Sequence, residues 1–193
     1  MANNAQVTTT LKPTTWVDKY ADKLYRFALM RVSDKEVAED LVQDAFLSAL
    51  KNAENFRGEV SEINWLYTIL KGKIIDHYKK ASTRLSENIG DTPLDFYFEK
   101  GGHWAKKSAP ANWGIAYDTD RAETADFYHV LENCKHKLKE IQNAVFTLKY
   151  IDDKDSEDIC KELGISSSNY WVLLHRAKLQ LRECIERNWF DKK

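Results

Sequence analysis

The chain has 193 residues, 43% apolar and 31% charged, with 29 Lys and Arg against 30 Asp and Glu. That composition supports a packed core and excludes general disorder. No stretch approaches the roughly 20 apolar residues that cross a bilayer, and no apolar run follows a basic start as in a signal peptide. Three widely spaced cysteines, Cys134, Cys160 and Cys184, read most simply as free thiols in a reducing compartment, so a cytoplasmic location is expected.

The net charge of −1 conceals an uneven distribution, and a local field depends on the distribution rather than the mean. Residues 64–84 hold five basic side chains (Lys71, Lys73, Lys79, Lys80, Arg84) against Asp76 alone, and residues 166–182 hold Arg176, Lys178 and Arg182 with no acid. Acids gather instead in 36–44 and 152–162.

In chain order, Trp16, Tyr20, Leu24, Phe27 and Ala28 recur at spacings of three and four, the apolar face of a first helix. Ser33 followed by Glu36 predicts a capping box opening a second helix. Its inner face carries Val37, Leu41, Ala45, Phe46, Ala49 and Leu50, and its outer face Glu36, Glu39, Asp40, Gln43 and Asp44. Asn55-Phe56-Arg57-Gly58 breaks the pattern as a loop. A third helix, from about Glu62 to Ala81, turns Trp65, Leu66, Ile69, Leu70 and Ile74 inward. No strand alternation occurs.

Periodicity lapses over 82–121, which holds Pro93, Pro110 and four of the seven glycines, and is read as a long linker. It is rich in aromatics (Phe96, Tyr97, Phe98, Trp104, Trp113, Tyr117), which call for a surface to rest on. Helical spacing returns through Val130, Leu131, Cys134 and Leu138, then again from Ile141 to Leu148. A short helix after Asp155 ends at Gly164, where a positive φ is needed. Ser166 then caps a last helix running to about Glu186. Two helices joined by a three-residue turn containing Gly are the helix-turn-helix pattern, which helical hairpins share. The fold class expected is therefore all-α, with two small helical domains: an N-terminal bundle of three to four helices over 1–81, and a helix-turn-helix domain over 122–193.

A helix of that second kind fits the major groove and presents its first residues to base edges. Here those are Ser166, Ser167, Ser168, Asn169 and Trp171, with His175, Arg176 and Lys178 following. A solvated amphipathic helix would carry the same residues. In the N-terminal part, Asn64, Trp65, Tyr67, Lys71, Lys73, His77 and Lys80 combine ring faces with cations, as suits single-stranded DNA. By composition alone, Trp65 and Tyr67 could equally be core.

Three segments in order resemble bacterial RNA polymerase sigma factors. Ala38-Glu39-Asp40-Leu41-Val42-Gln43-Asp44-Ala45-Phe46 looks like the family's core-polymerase-binding segment. Residues 65–80 are similar to the helix that melts and reads the minus-ten element. Residues 163–178 are similar to the helix-turn-helix that reads the minus-thirty-five element. Two domains joined by a linker resemble the extracytoplasmic-function group. The resemblance implies that Glu39, Asp40, Gln43 and Asp44 face core polymerase. It implies that Asn55, Phe56, Arg57 and Gly58 hold a flipped base, since unstacking is repaid by stacking and edge hydrogen bonds in a pocket. It also implies promoter DNA and an anti-sigma protein as partners, and no cofactor. Two features depart from the family pattern: Trp171-Val172-Leu173 in the recognition helix, which suits apolar contact with thymine methyls, and the length and aromaticity of the linker.

Other chemistry fails on spacing. His129, Cys134 and His136 do not make a zinc site, because Cys134 and His136 lie about 200° apart on a helix, and no paired metal-binding motif occurs. Glu36, Asp40 and Asp44 lack a nucleophile or basic partner, and no Gly-rich phosphate loop is present, so no enzymatic activity is expected. Two rivals remain: a free-standing helix-turn-helix regulator and a protein-interaction module. Neither needs both an acidic helix and an aromatic-basic one.

Overall fold

The computed structural model describes residues 11–85, 106, 109 and 121–190, with the side chains of 84, 85 and 121–124 excepted. Seven α-helices occur among them: α1 Trp16–Val32, α2 Lys35–Lys51, α3 Glu62–Leu85, α4 Arg121–Lys135, α5 Glu140–Tyr150, α6 Ser156–Leu163 and α7 Ser167–Ile185. There is no strand among the described residues. The chain divides into two compact units, Met1–Tyr78 and Lys79–Lys193. The linker aromatics at 96–98, 104, 113 and 117 lie outside the described residues, whereas 82–85, read as linker, continue α3.

In the first unit α1 ends at Ser33, whose φ of 62° is left-handed and whose N–H donates to the Leu29 carbonyl. The predicted Ser33–Glu36 capping box does not form. Ser33 is taken up in stopping α1, so Asp34 becomes the cap of α2 and its Oδ1 accepts from the Val37 N–H at 3.0 Å. Ala38, Ala45 and Ala49 on α2 are fully buried; small side chains there let helices approach closely. Leu24 and Ala28 of α1 and Leu66, Leu70 and Ile74 of α3 complete the apolar core. Leu50, expected inside, is 50% exposed, because it lies one residue beyond buried Ala49 and so turns about 100° away from it.

One acid sits inside this unit. Glu62, in the first turn of α3, is 8% exposed. Its carboxylate accepts from the Lys12 backbone N–H, from the Trp16 indole at 3.2 Å and from the Tyr20 hydroxyl at 3.1 Å. Burial pushes the carboxyl upward, but those three donors and the charge of Lys19 together hold it below the usual glutamate range. Tyr20 is raised, by burial first and then by its bond to Glu62.

In the second unit α7 is the common wall. Tyr170, Leu174, Ala177, Leu181 and Ile185 are buried along it, and α4, α5 and α6 all pack against it. Gly164 has φ 66°, and the Ser166 hydroxyl accepts from the Asn169 N–H at 3.2 Å, as the sequence predicts for the turn and its cap. Asp155 stands at the start of α6 without a side-chain capping bond. The expectation of three free thiols fails at two positions: Cys134 of α4 and Cys184 of α7 are disulfide-bonded, closing 50 residues of chain. Helical periodicity shows which face a cysteine occupies but not which face it meets 50 residues later. Cys160 is the free cysteine, its thiol raised by burial and so less readily ionised than an exposed one.

Glu62 has a lowered folded-state pKa, so its contribution is complete above the ordinary range near pH ~4.3 and is lost as pH falls through the lowered value. Glu62→Gln keeps the shape but loses the charge-assisted bonds, and should cost about 1–3 kcal/mol at pH 7 by urea unfolding. The cost should shrink on acidification, as the wild-type carboxyl itself becomes neutral. Equal stability of the two proteins at pH 7 would show that the carboxylate does not hold the N-terminal segment.

Candidate nucleic-acid interface

Three exposed faces carry the residues singled out from the sequence. On α2, Glu39, Asp40, Gln43 and Asp44 are all exposed, on the side opposite Leu41, Val42 and Ala45. Leu47, 55% exposed, lies one turn beyond Gln43 and Asp44, and Leu50 one turn further. The face is thus acidic with an apolar end. Leu47 was not picked out in the sequence and Leu50 was expected inside, although each follows at i+3, Leu47 from Asp44 and Leu50 from Leu47.

The second face combines the loop before α3 with α3 itself. A 3₁₀ turn, Ala53–Asn55, is fastened to α2 by Asn52, whose side chain donates to the Ser48 carbonyl at 2.8 Å. Asn55 and Arg57 are exposed, and Gly58 has φ 72°. Phe56 is half-buried, its ring 5.1 Å from that of Trp65, and Trp65 meets Trp16 edge-on at 6.2 Å. Tyr67 packs at 4.9 Å on Phe27, and Arg31 stacks its guanidinium 3.4 Å from the Phe27 centroid. These rings are therefore partly core, and what remains outward is an edge or face of each.

The remaining α3 residues do not share one side. Asn64 and Lys71 are exposed near one edge of the helix, with the Lys71 ammonium 5.8 Å from the Phe27 ring. Lys73, half-buried, is two residues on and so lies nearly opposite Lys71. His77 is half-buried beside Tyr78, and Lys80 is exposed on the stretch of α3 counted with the second unit. The barest strip runs through Asn64, Thr68, Gly72 and Asp76, at i, i+4 spacing. A side chain placed at Gly72 would meet nothing within 4 Å. Thr68 and Gly72 were not picked out in the sequence.

The third face is the N-terminal half of α7. Ser167, Ser168, Trp171, Val172 and His175 are exposed, opposite the buried stripe. Ser166 and Asn169 are exposed but engaged in the cap. Lys178 is exposed and holds its ammonium 5.3 Å from the Tyr150 ring. Arg176 is half-buried on the flank, about 140° from Trp171 around the helix. Trp171 is 59% exposed and Val172 38%, so two apolar side chains sit at the centre of a helix face otherwise polar. Among the described residues no three His, Cys, Asp or Glu side chains gather to hold a metal, and no helix is long and apolar enough to cross a membrane.

Comparison with known proteins likewise gives two parts. Residues 16–84 match the family description Sigma-70 region 2, and residues 128–181 match Sigma-70, region 4. A probable RNA polymerase sigma factor of Haemophilus influenzae is 32% identical over 167 residues, 86% of this chain and 85% of that protein. The ECF RNA polymerase sigma factor SigX of Bacillus subtilis is 27% identical over 169 residues, 88% of this chain and 81% of that one. A solved structure of the sigma factor RpoE with the anti-sigma factor NepR from Bartonella quintana aligns over 91% of this chain and 97% of its own, at 19% identity and a TM-score of 0.42.

Trp171 is exposed enough that Trp171→Ala should leave stability within about 0.5 kcal/mol. If the ring reads thymine methyls, the change should lower affinity for a selected duplex by about 1–3 kcal/mol, the value of a good base contact. Replacing thymine by deoxyuridine, which lacks the methyl, should weaken the wild type and leave Trp171→Ala unaffected. Equal deoxyuridine sensitivity in both proteins removes Trp171 from the readout.

Proposed function

Because the chain belongs to the RNA polymerase sigma factors, of the extracytoplasmic-function group, we propose a division of labour among its three exposed faces. A factor of this family binds core RNA polymerase, directs it to promoters and helps open the DNA; it is not an enzyme. Residues 1–81 take the core-polymerase and minus-ten functions, 82–121 connect, and 122–193 read the minus-thirty-five element. Its place of action is the cytoplasm, with the polymerase, and an anti-sigma protein holds it in reserve.

Glu39, Asp40, Gln43 and Asp44 dock on core polymerase, with Leu47 and Leu50 supplying apolar contact at the end of the face. The acidic face of α2 carries the proposal: its charges lie on the solvent side, with none needed by the core. A free-standing duplex binder has no use for such a ridge beside a polyanion.

The loop Asn55, Phe56, Arg57 and Gly58 receives an unstacked base, and Asn64, Trp65, Tyr67 and Lys71 line the opened strand, while Lys73, His77 and Lys80, elsewhere around α3, steer it from its flanks. The half-buried rings of Phe56 and Trp65 support this role. Each keeps a fixed orientation through its inner contacts, so stacking on an outer edge costs little further side-chain entropy. On α7, Ser166, Ser167, Ser168, Asn169, Trp171 and His175 approach base edges or adjacent phosphates. Arg176 and Lys178 sit where phosphate contacts are made, with Lys178 braced over Tyr150.

The double reversal Asp40→Arg with Asp44→Arg should abolish co-purification with core polymerase while leaving the thermal midpoint unchanged. Undiminished co-purification would sink the α2 assignment. Arg57→Ala, on an exposed residue, should leave initial promoter binding by the holoenzyme intact and reduce strand opening, read by permanganate reactivity of unpaired thymines. Normal opening in Arg57→Ala would move the base-holding role elsewhere.

A further inference from the structure

The disulfide between α4 and α7 has no place in promoter reading as described above, yet it grips the same helix that carries the third face. Cys134 is 2% exposed, Cys184 half-buried, and both belong to an apolar cluster with Leu138, Ala177, Leu181 and Ile185. A cleft of about 280 Å³ borders the bond at Cys134. Lining it are His129, Asn133, Lys137 and Asn188, donors or cations with no acid among them. At the same cleft, the Asn188 side-chain amide donates to the Cys184 carbonyl at 2.7 Å and approaches Cys184 Sγ at 3.5 Å.

Disulfides inside a reducing compartment are transient, and the ones that persist long enough to matter are catalytic or redox-sensing. A cleft of this size is at the small end of ligand sites, so it admits a small thiol rather than a redox protein's active-site loop. Its lining favours an anionic thiol.

We propose that the Cys134–Cys184 bond is a thiol–disulfide exchange site, opened by a small anionic thiol entering this cleft, and that its opening loosens the hold of α4 on the duplex-reading helix α7. In the first step a thiolate attacks Cys134 Sγ. The Cys134–Cys184 bond breaks, and its electron pair leaves on Cys184 Sγ, beside the Asn188 amide N–H. The product is a mixed disulfide on Cys134. A second thiolate attacks the small thiol's sulfur, forming its symmetrical disulfide, and the electron pair leaves on Cys134 Sγ. The two protons released by the incoming thiols end on the two cysteines, so one protein disulfide and two thiols give one protein dithiol and one small disulfide. Re-formation runs the same exchange backwards, with the small disulfide as oxidant.

The exchange step stands on the geometry of the second unit and on the cytoplasmic location proposed above. The consequence for DNA rests on α7 reading the duplex, as proposed above. Cys184 lies one residue before the end of α7 and the reading face lies at its other end, so the clamp acts along one rigid helix. Opening it removes the covalent tie between α4 and α7 and leaves their non-covalent packing.

The experiment equilibrates the full-length oxidised chain with glutathione and its disulfide at graded ratios, then counts alkylated cysteines by mass spectrometry. The expected count rises from one, Cys160, to three as the ratio becomes reducing. Lys137→Ala should slow reduction by glutathione and leave reduction by uncharged 2-mercaptoethanol unchanged. Holoenzyme assembled with the reduced chain should bind promoter duplex about fivefold or more weakly than with the oxidised chain, at the low end of usual site-to-site couplings. A count fixed at one or at three across all ratios overturns the exchange site. Equal slowing of both thiols in Lys137→Ala overturns entry by the cleft. Normal exchange with equal promoter affinity in both states overturns the coupling to α7. Absence of promoter binding in both states, with exchange intact, counts against the function assigned to α7 and therefore against the coupling, while the exchange site stands. An unchanged helical circular-dichroism signal in the reduced chain separates loosening of α4 from unfolding of the unit, and loss of that signal overturns the loosening.

Discussion

Helix α7 has to bury one side and leave the other bare, and the second unit is organised around that demand. A single 19-residue helix supplies the wall on which α4, α5 and α6 pack, through Tyr170, Leu174, Ala177, Leu181 and Ile185. The turn at Gly164 and the cap at Ser166 fix where the helix begins. They therefore fix which residues occupy its first two turns on the bare side. A shift of one residue would rotate the face by about 100° and exchange Trp171 for Tyr170. The position of the cap decides which side chains the helix presents.

The first unit resolves a related conflict with aromatic rings. Phe56, Trp65 and Tyr67 each have one part against Trp16, Phe27 or one another, and another part outside. A ring wholly inside could read nothing, and one wholly outside would lose rotamer freedom each time it bound. The buried Glu62 ties the start of the described chain to α3 by accepting from Lys12, Trp16 and Tyr20, which steadies Trp16 and thus the ring packed on it. An unpaired carboxylate there would be costly, and the donors make its burial sustainable.

Helix number, fold class and the bare face of α7 were legible in the sequence because each depends on a local period or a single punctuation residue. Gly164 and Ser166 announced themselves through the backbone geometry that only such residues supply readily. Ser33 misled because two adjacent residues, Ser33 and Asp34, both suit a cap, and the choice depended on how α1 ended. Leu50 misled because it flanks the apolar stripe, where one helical step decides between inside and outside. Glu62 and the Cys134–Cys184 pair were illegible for a different reason. Their partners lie 42 to 50 residues away in sequence, and no local pattern encodes such a meeting. Among the site residues, the sequence gathered the α3 cations into one group, but helical geometry sends Lys71 and Lys73 to opposite sides.

A net charge of −1 limits what either part proposed to read DNA achieves alone. Affinity for nucleic acid rises with the number of phosphates neutralised. Here Lys178 is shared with Tyr150 and Arg176 is half-buried, so the cationic contribution of α7 is small. Weak sites gain from linkage: once one engages, a chain connection presents the other at a high effective concentration, provided the connection can span the gap. In the assignment proposed above, core polymerase adds a third attachment through α2. The sites then multiply rather than add, and no single one needs to be tight.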